Sequence, residues 1–124
     1  MQTSNAYANA GNAYKNNEVM TASSKKLVIL LYEGVVKNLK LAKIYIEEQN
    51  IQKTNAVVGK AQDIIAELMS TLNFDEGGEI AGNLYALYEY MYRKTISANI
   101  NKSSQELDEV IGYFEELKET WMQI

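Results

Sequence analysis

The apolar residues of this 124-residue chain recur at three- and four-residue spacing in four successive segments, and no proline interrupts them. That period belongs to the α-helix, and an amphipathic helix must bury its apolar face against another element. The first segment runs from about Ser24 to Glu48. "TASS" opens it with capping hydroxyls at Thr21, Ser23 and Ser24, and Leu27, Leu31, Val35, Leu39, Ala42 and Ile46 form its main stripe. The second runs from about Asn55 to Leu72, on Val57, Ala61, Ile64, Leu68 and Leu72. The third runs from about Glu79 to Ala98, after the chain breaks at Gly77-Gly78. The fourth runs from about Ser104 to Trp121, where Ser103 and Glu106 fit a capping box and Leu107, Val110, Ile111, Phe114, Leu117 and Trp121 form the seam.

The connections predicted between these helices are four to six residues long, which makes consecutive helices antiparallel neighbours. The expected fold is all-α, an up-down-up-down four-helix bundle over residues 21–124. Charge agrees: Lys25, Lys26, Lys37, Lys40 and Lys43 on the first helix face Glu106, Asp108, Glu109, Glu115, Glu116 and Glu119 on the fourth. Each exposed pair adds only a few tenths of a kcal/mol, so charge supports the pairing without driving it. Residues 1–20 are rich in Asn and Ala and repeat "NAY", which reads as a flexible N-terminal arm. Tyr7 and Tyr14 are its large rings, able to pin it to a groove.

Several function classes are excluded by what is missing. Without cysteine or histidine there is no disulfide, thiolate zinc site, imidazole ligand, histidine base or Glu-x-x-His di-iron pair. No nucleotide motif or EF-hand spacing occurs, so no cofactor or metal is expected, and the chain reads as a non-enzyme. Adjacent acids such as Glu47-Glu48 and Glu115-Glu116 diverge on a helix and read as a solvated face. A formal charge of −4 argues against nucleic acid. The longest apolar run, Leu27 to Tyr32, is six residues, far short of a membrane span. The start has no signal-peptide pattern, so a cytoplasmic location is expected.

Two helices carry more apolar surface than a bundle needs. On the first, Leu30, Gly34, Leu41 and Tyr45 line up beside the main stripe, with Ile44 further round among lysines. They read either as scattered surface apolars or as a second seam, where Gly34 would admit a partner backbone. On the third, "NLYALYEYMYRK" holds four of the nine tyrosines. Ile80, Leu84, Leu87 and Met91 form one strip, of which Leu84, Leu87 and Met91 are expected in the core. Ala81, Tyr85, Tyr88 and Tyr92 form another, expected to border a groove. Tyr90 projects elsewhere, near Lys94. The natural ligand of such grooves is an amphipathic segment that folds on docking.

The chain resembles the FliS family of flagellin export chaperones. "AYKNNEVMTASSKKLVILLYEGVVKNLKLA" is similar to the family's opening, "KAQDIIAEL" to its second helix and "LYEYMYRKTISANI" to its LY-x-YM…AN block; Val110 and Trp121 fit its last helix. Ser24 stands where the family usually has proline, and Leu30 where methionine is common. The resemblance implies an ATP-independent chaperone. It would cover the disordered C-terminal segment of flagellin, one to one, prevent premature polymerisation and present the complex to the flagellar type III export apparatus. It further implies that an N-terminal arm, with Tyr14 at the matching position, can cover the site before flagellin arrives. The candidate contacts are then Leu30, Gly34, Leu41, Tyr45, Tyr85, Tyr88 and Tyr92, with Tyr14 as a displaceable lid and Tyr7 as a further arm contact. The alternative is a homo-oligomer, such as a homodimer, whose second seam closes on itself.

Overall fold

Each helix begins at a side chain that accepts a backbone N–H, which satisfies one of the donors a helix start leaves open. In the computed structural model, which describes residues 21–124, Ser24 accepts from Leu27 N–H at 3.3 Å and starts α1, Lys25–Glu47. Asn50 accepts from Lys53 at 3.0 Å and starts α2, Ile51–Ser70. Asn73 accepts from Glu76 at 3.1 Å and starts α3, Phe74–Asn101. Ser103 accepts from Glu106 at 3.1 Å and starts α4, Ser104–Met122. The expectations for Tyr7, Tyr14 and the arm lie outside the described residues.

Two helix starts differ from the sequence expectation. α2 begins at Ile51 rather than near Asn55, because Asn50 caps a first turn that carries little apolar signal. α3 begins at Phe74, so the Gly77-Gly78 break falls within its first turns and not before them. Gly78 takes φ 51° and ψ −122°, which a side chain resists. A straight helix would separate Phe74 and Tyr85 by about 16 Å of rise, yet their ring centroids are 5.7 Å apart. The kink folds the first turn back along α3.

The connections are shorter than expected: Glu48–Asn50, Thr71–Asn73 and Lys102–Ser103. The first and last turn on residues with positive φ, Gln49 at 58° and Lys102 at 48°. In each, the following N–H reaches back five residues, Asn50 to the Tyr45 carbonyl and Ser103 to that of Ala98. This is the Schellman closure, here without its usual glycine. Among the described residues the only extended pairing is an isolated bridge between Thr21 and Leu72.

α1 packs on α2 and α4, and α3 packs on the same two, so α1 and α3 are diagonal in an antiparallel four-helix bundle. Val28, Tyr32, Val35, Leu39 and Ala42 point α1 into the core. Val35, Leu39 and Ala42 are buried as expected, and at the start of α1 the buried positions move on by one residue, to Val28 and Tyr32. Leu27 is exposed, while Leu31 and Ile46 are half-buried. Val57, Val58, Ala61, Ile65 and Leu68 come from α2, and Leu107, Val110, Ile111 and Phe114 from α4. The largest core group is aromatic. Tyr32 lies 5.7 Å from Phe114 and 6.2 Å from Trp121, and Tyr88 stacks on Phe114 at 6.4 Å, between ring centroids. Each such ring contributes roughly 1.5–3 kcal/mol through burial. The expected α1–α4 charge pairing is present in Lys40–Glu115 at 3.1 Å and Lys43–Asp108, and Lys118–Glu33 at 3.1 Å adds a pair of the opposite sense. All three pairs are largely exposed, so each adds little.

Candidate functional site

The candidate residues of α1 form a strip along its border with α2. Leu30 is exposed, at 53 % of its full surface. Leu41 and Tyr45 are half-buried against the core edge, and the Lys53 ammonium lies 5.5 Å from the centre of the Tyr45 ring. Gly34 has a different setting from the one its sequence position suggests. A Cβ there would sit 3.0 Å from Ile64 Cδ1 of α2. The close approach at Gly34 is therefore made by an internal neighbour, and the glycine serves α1–α2 packing.

On α3 the apolar surplus lies on the flank away from α4. Tyr90, Lys94 and Ser97 mark the α4 side through Glu109 and Glu106. By helical phase, Tyr85, Tyr92, Ile96 and Ile100 fall on the other side, towards α2. Tyr85 is partly exposed and edge-on to Phe74; Tyr92 is half-buried, and Ile96 and Ile100 are exposed. Of the neighbouring strip, Met91 is buried and Leu84 and Leu87 are packed against the core, while Ile80 is exposed. Phe74, Ile96 and Ile100 extend the tyrosine strip beyond the residues expected to border it. Ile96 and Ile100 do continue the tyrosine phase at four-residue steps, a signal present in the sequence. Phase alone could not place Phe74, because only the kink brings it there.

Tyr88 does not border a groove. It is 1 % exposed, and its hydroxyl lies 2.6 Å from that of Tyr32. Burial pushes the Tyr88 phenol up to about 12. Burial, reinforced by Tyr88, pushes Tyr32 much further above the ordinary tyrosine range. Both hydroxyls thus stay neutral and serve as a polar tie inside the core. Alternate turns of α3 have opposite tasks: Tyr88 and Met91 face inward, while Tyr85 flanks the opening.

Tyr90 is exposed and donates to Glu109 Oε2 at 2.6 Å, with its ring edge-on to Tyr113 at 6.4 Å. The hydrogen bond to Glu109 raises the Tyr90 pKa, and the same bond lowers that of Glu109. The Glu109 charge raises Lys94, 3.4 Å away. Glu106 also accepts from Ser97, at 2.9 Å. Its carboxylate is thus drawn towards α3, while the Ser103 N–H goes to Ala98; the Ser103–Glu106 capping box is formed on one side.

The two apolar strips do not merge. α1 and α3 are diagonal, and α2 runs between them on one side of the bundle. The exposed residues of α2 include Gln52, Lys53, Asn55, Lys60, Asp63 and Glu67, a polar ridge. A chain that touches both strips must cross that ridge. Among the described residues, no group of three or more acidic side chains could hold a metal ion, and no helix is long and apolar enough to cross a membrane.

Comparison with known proteins bears on what such strips are for. Residues 7–124 match the family described as "Flagellar protein FliS". The flagellar secretion chaperone FliS of Bacillus subtilis (strain 168) is 38 % identical over 118 residues, covering 95 % of this chain and 87 % of that protein. The namesake from Vibrio cholerae is 37 % identical, covering 90 % and 85 %. That from Salmonella typhimurium is 36 % identical, covering 86 % and 79 %.

Proposed function

This chain belongs to the FliS family of flagellar secretion chaperones, and from that premise we propose that its cargo is flagellin, held by the disordered C-terminal segment. The proposed mechanism needs no ATP. Apolar side chains of the segment enter the strips beside α2, and the segment gains helix as it docks. Covering it keeps flagellin from polymerising in the cytoplasm and leaves it fit for the flagellar type III export apparatus, one chaperone to one flagellin. Tyr14 of the arm would cover part of this surface before cargo arrives, with Tyr7 as a further contact.

The observation that carries this reading is the surplus. The core is filled by Tyr32, Tyr88, Phe114, Trp121 and their aliphatic neighbours, while Leu30, Tyr85, Ile96 and Ile100 stay outside it. A folding segment costs several kcal/mol to order, which apolar burial at such strips can offset. Leu30, Leu41, Tyr45, Tyr85 and Tyr92 are the proposed contacts. Gly34 and Tyr88 support them from within the fold.

The test is a titration with a peptide from the C-terminus of the same organism's flagellin. Calorimetry should give one-to-one binding with a negative heat-capacity change, and circular dichroism should show added helix. Absence of both, with the protein sedimenting as a stable dimer, would favour a homo-oligomer instead.

A further inference from the structure

A separate groove lies on the opposite side of the bundle, between α3 and α4, with a volume of about 740 Å³. Leu87, Tyr113 and Leu117 give it an apolar floor, and Glu116 and Glu119 stand on its rim. The carboxylates of α4 fall into two groups. Glu106, Asp108, Glu109 and Glu115 each have a lysine partner. Glu116 and Glu119 have none among the described residues. Gly112 also lines the groove, and a Cβ there would meet nothing within 4 Å. The floor is thus open to close approach, and the rim holds uncompensated negative charge.

We infer that this groove docks a cationic amphipathic helix of another protein, one that lays leucine-like side chains on Leu87 and Leu117 and places lysine or arginine beside Glu116 and Glu119. The rim charges repel nucleic acid and anionic lipid, which leaves a basic peptide as the complementary partner. The lysine-rich face of α1 in a second copy is less suited. Two of its lysines, Lys40 and Lys43, are already paired with Glu115 and Asp108 of their own copy. The inference does not depend on flagellin or on the strips beside α2.

The probe is a labelled 18-residue amphipathic helix of leucine and lysine, compared with a leucine–glutamate version carrying the same apolar face. Full-length protein is titrated by fluorescence anisotropy, and the contact is mapped from amide chemical shifts. The lysine peptide should bind about tenfold more tightly than its counterpart and shift amides around Gly112 and Leu117. E116Q/E119Q should weaken it about fivefold, while E47Q/E48Q, with the same net charge, should not. Gly112→Gln, which fills the groove without touching the core, should weaken it as well. Equal losses in the two double variants would reduce the effect to net charge, and equal binding of both peptides would remove the charge argument. Concentration-dependent sedimentation of the free protein that E116Q/E119Q abolishes would give the groove to a second copy. Any of the three overturns the proposal.

Discussion

The hydroxyls of Tyr32 on α1 and Tyr88 on α3 meet at 2.6 Å, joining the bundle's diagonal helices through its core. A sequence-level view of Tyr88 as a groove residue expects its truncation to spare folding. The buried pair reverses that expectation. Tyr88→Ala should cost about 3–5 kcal/mol by opening a cavity beside Phe114. Tyr88→Phe should cost about 1–2 kcal/mol by stranding the Tyr32 hydroxyl, and adding Tyr32→Phe should recover part of the loss. Chemical denaturation of these variants and of Tyr32→Phe alone measures this; strict additivity of the two Phe changes would show that the hydroxyls act independently.

The same pair sets an alkaline limit. Tyrosine ordinarily ionises near 10.0, and Tyr88 is raised to about 12, with Tyr32 higher still. An unfolded chain therefore releases these protons first, and stability present below pH 10 falls as pH rises through the window up to about 12. The slope is bounded by roughly 1.4 kcal/mol per pH unit per group. Tyr32→Phe/Tyr88→Phe should flatten it in melting curves taken between pH 8 and 12, relative to the parent.

Gly78 and Gly82 separate two uses of glycine four residues apart. Gly78 has a positive φ, and Gly82 lies in ordinary helix with open space where a Cβ would stand. Gly78→Ala should destabilise by about 1–3 kcal/mol and loosen the Phe74–Tyr85 contact. Gly82→Ala should stabilise by about 0.5–1 kcal/mol. Opposite shifts in melting temperature are the expected result; shifts of the same sign would count against the kink.

Leu30 tests the proposed cargo surface. It is exposed, so Leu30→Asp should leave the melting temperature within about 2 °C of the parent. It should weaken the flagellin peptide about tenfold, the loss of one well-packed contact. Unchanged peptide affinity would remove the α1 strip from the site.

Much of the bundle is written in the sequence: four helices, their order, the caps at Ser24 and Ser103, and the α1–α4 charge pairing. What escaped it has physical causes. Leu27-Val28 and Leu31-Tyr32 are adjacent apolar pairs, and either member of each satisfies the helical period. Only the position of the neighbouring helices selects Val28 and Tyr32. The role of Tyr88 depends on a hydroxyl 56 residues away, which no local pattern reveals. Asn50 and Asn73 are capping residues that lie ahead of polar first turns, so periodicity starts late there. Gly34 signals close approach correctly, yet spacing cannot say which neighbour approaches. The surplus strips on α1 and α3 were legible as surplus, but the polar ridge between them emerges only when α2 is in place.

That ridge has a kinetic corollary for the proposed cargo. A tail held on both flanks of α2 is a bivalent ligand, and each hold raises the local concentration of the other. Two modest grips then give long retention while both are engaged. Pulling one free returns the second to its own weak affinity, so a sequential peel from one end needs no step in which the whole contact breaks at once.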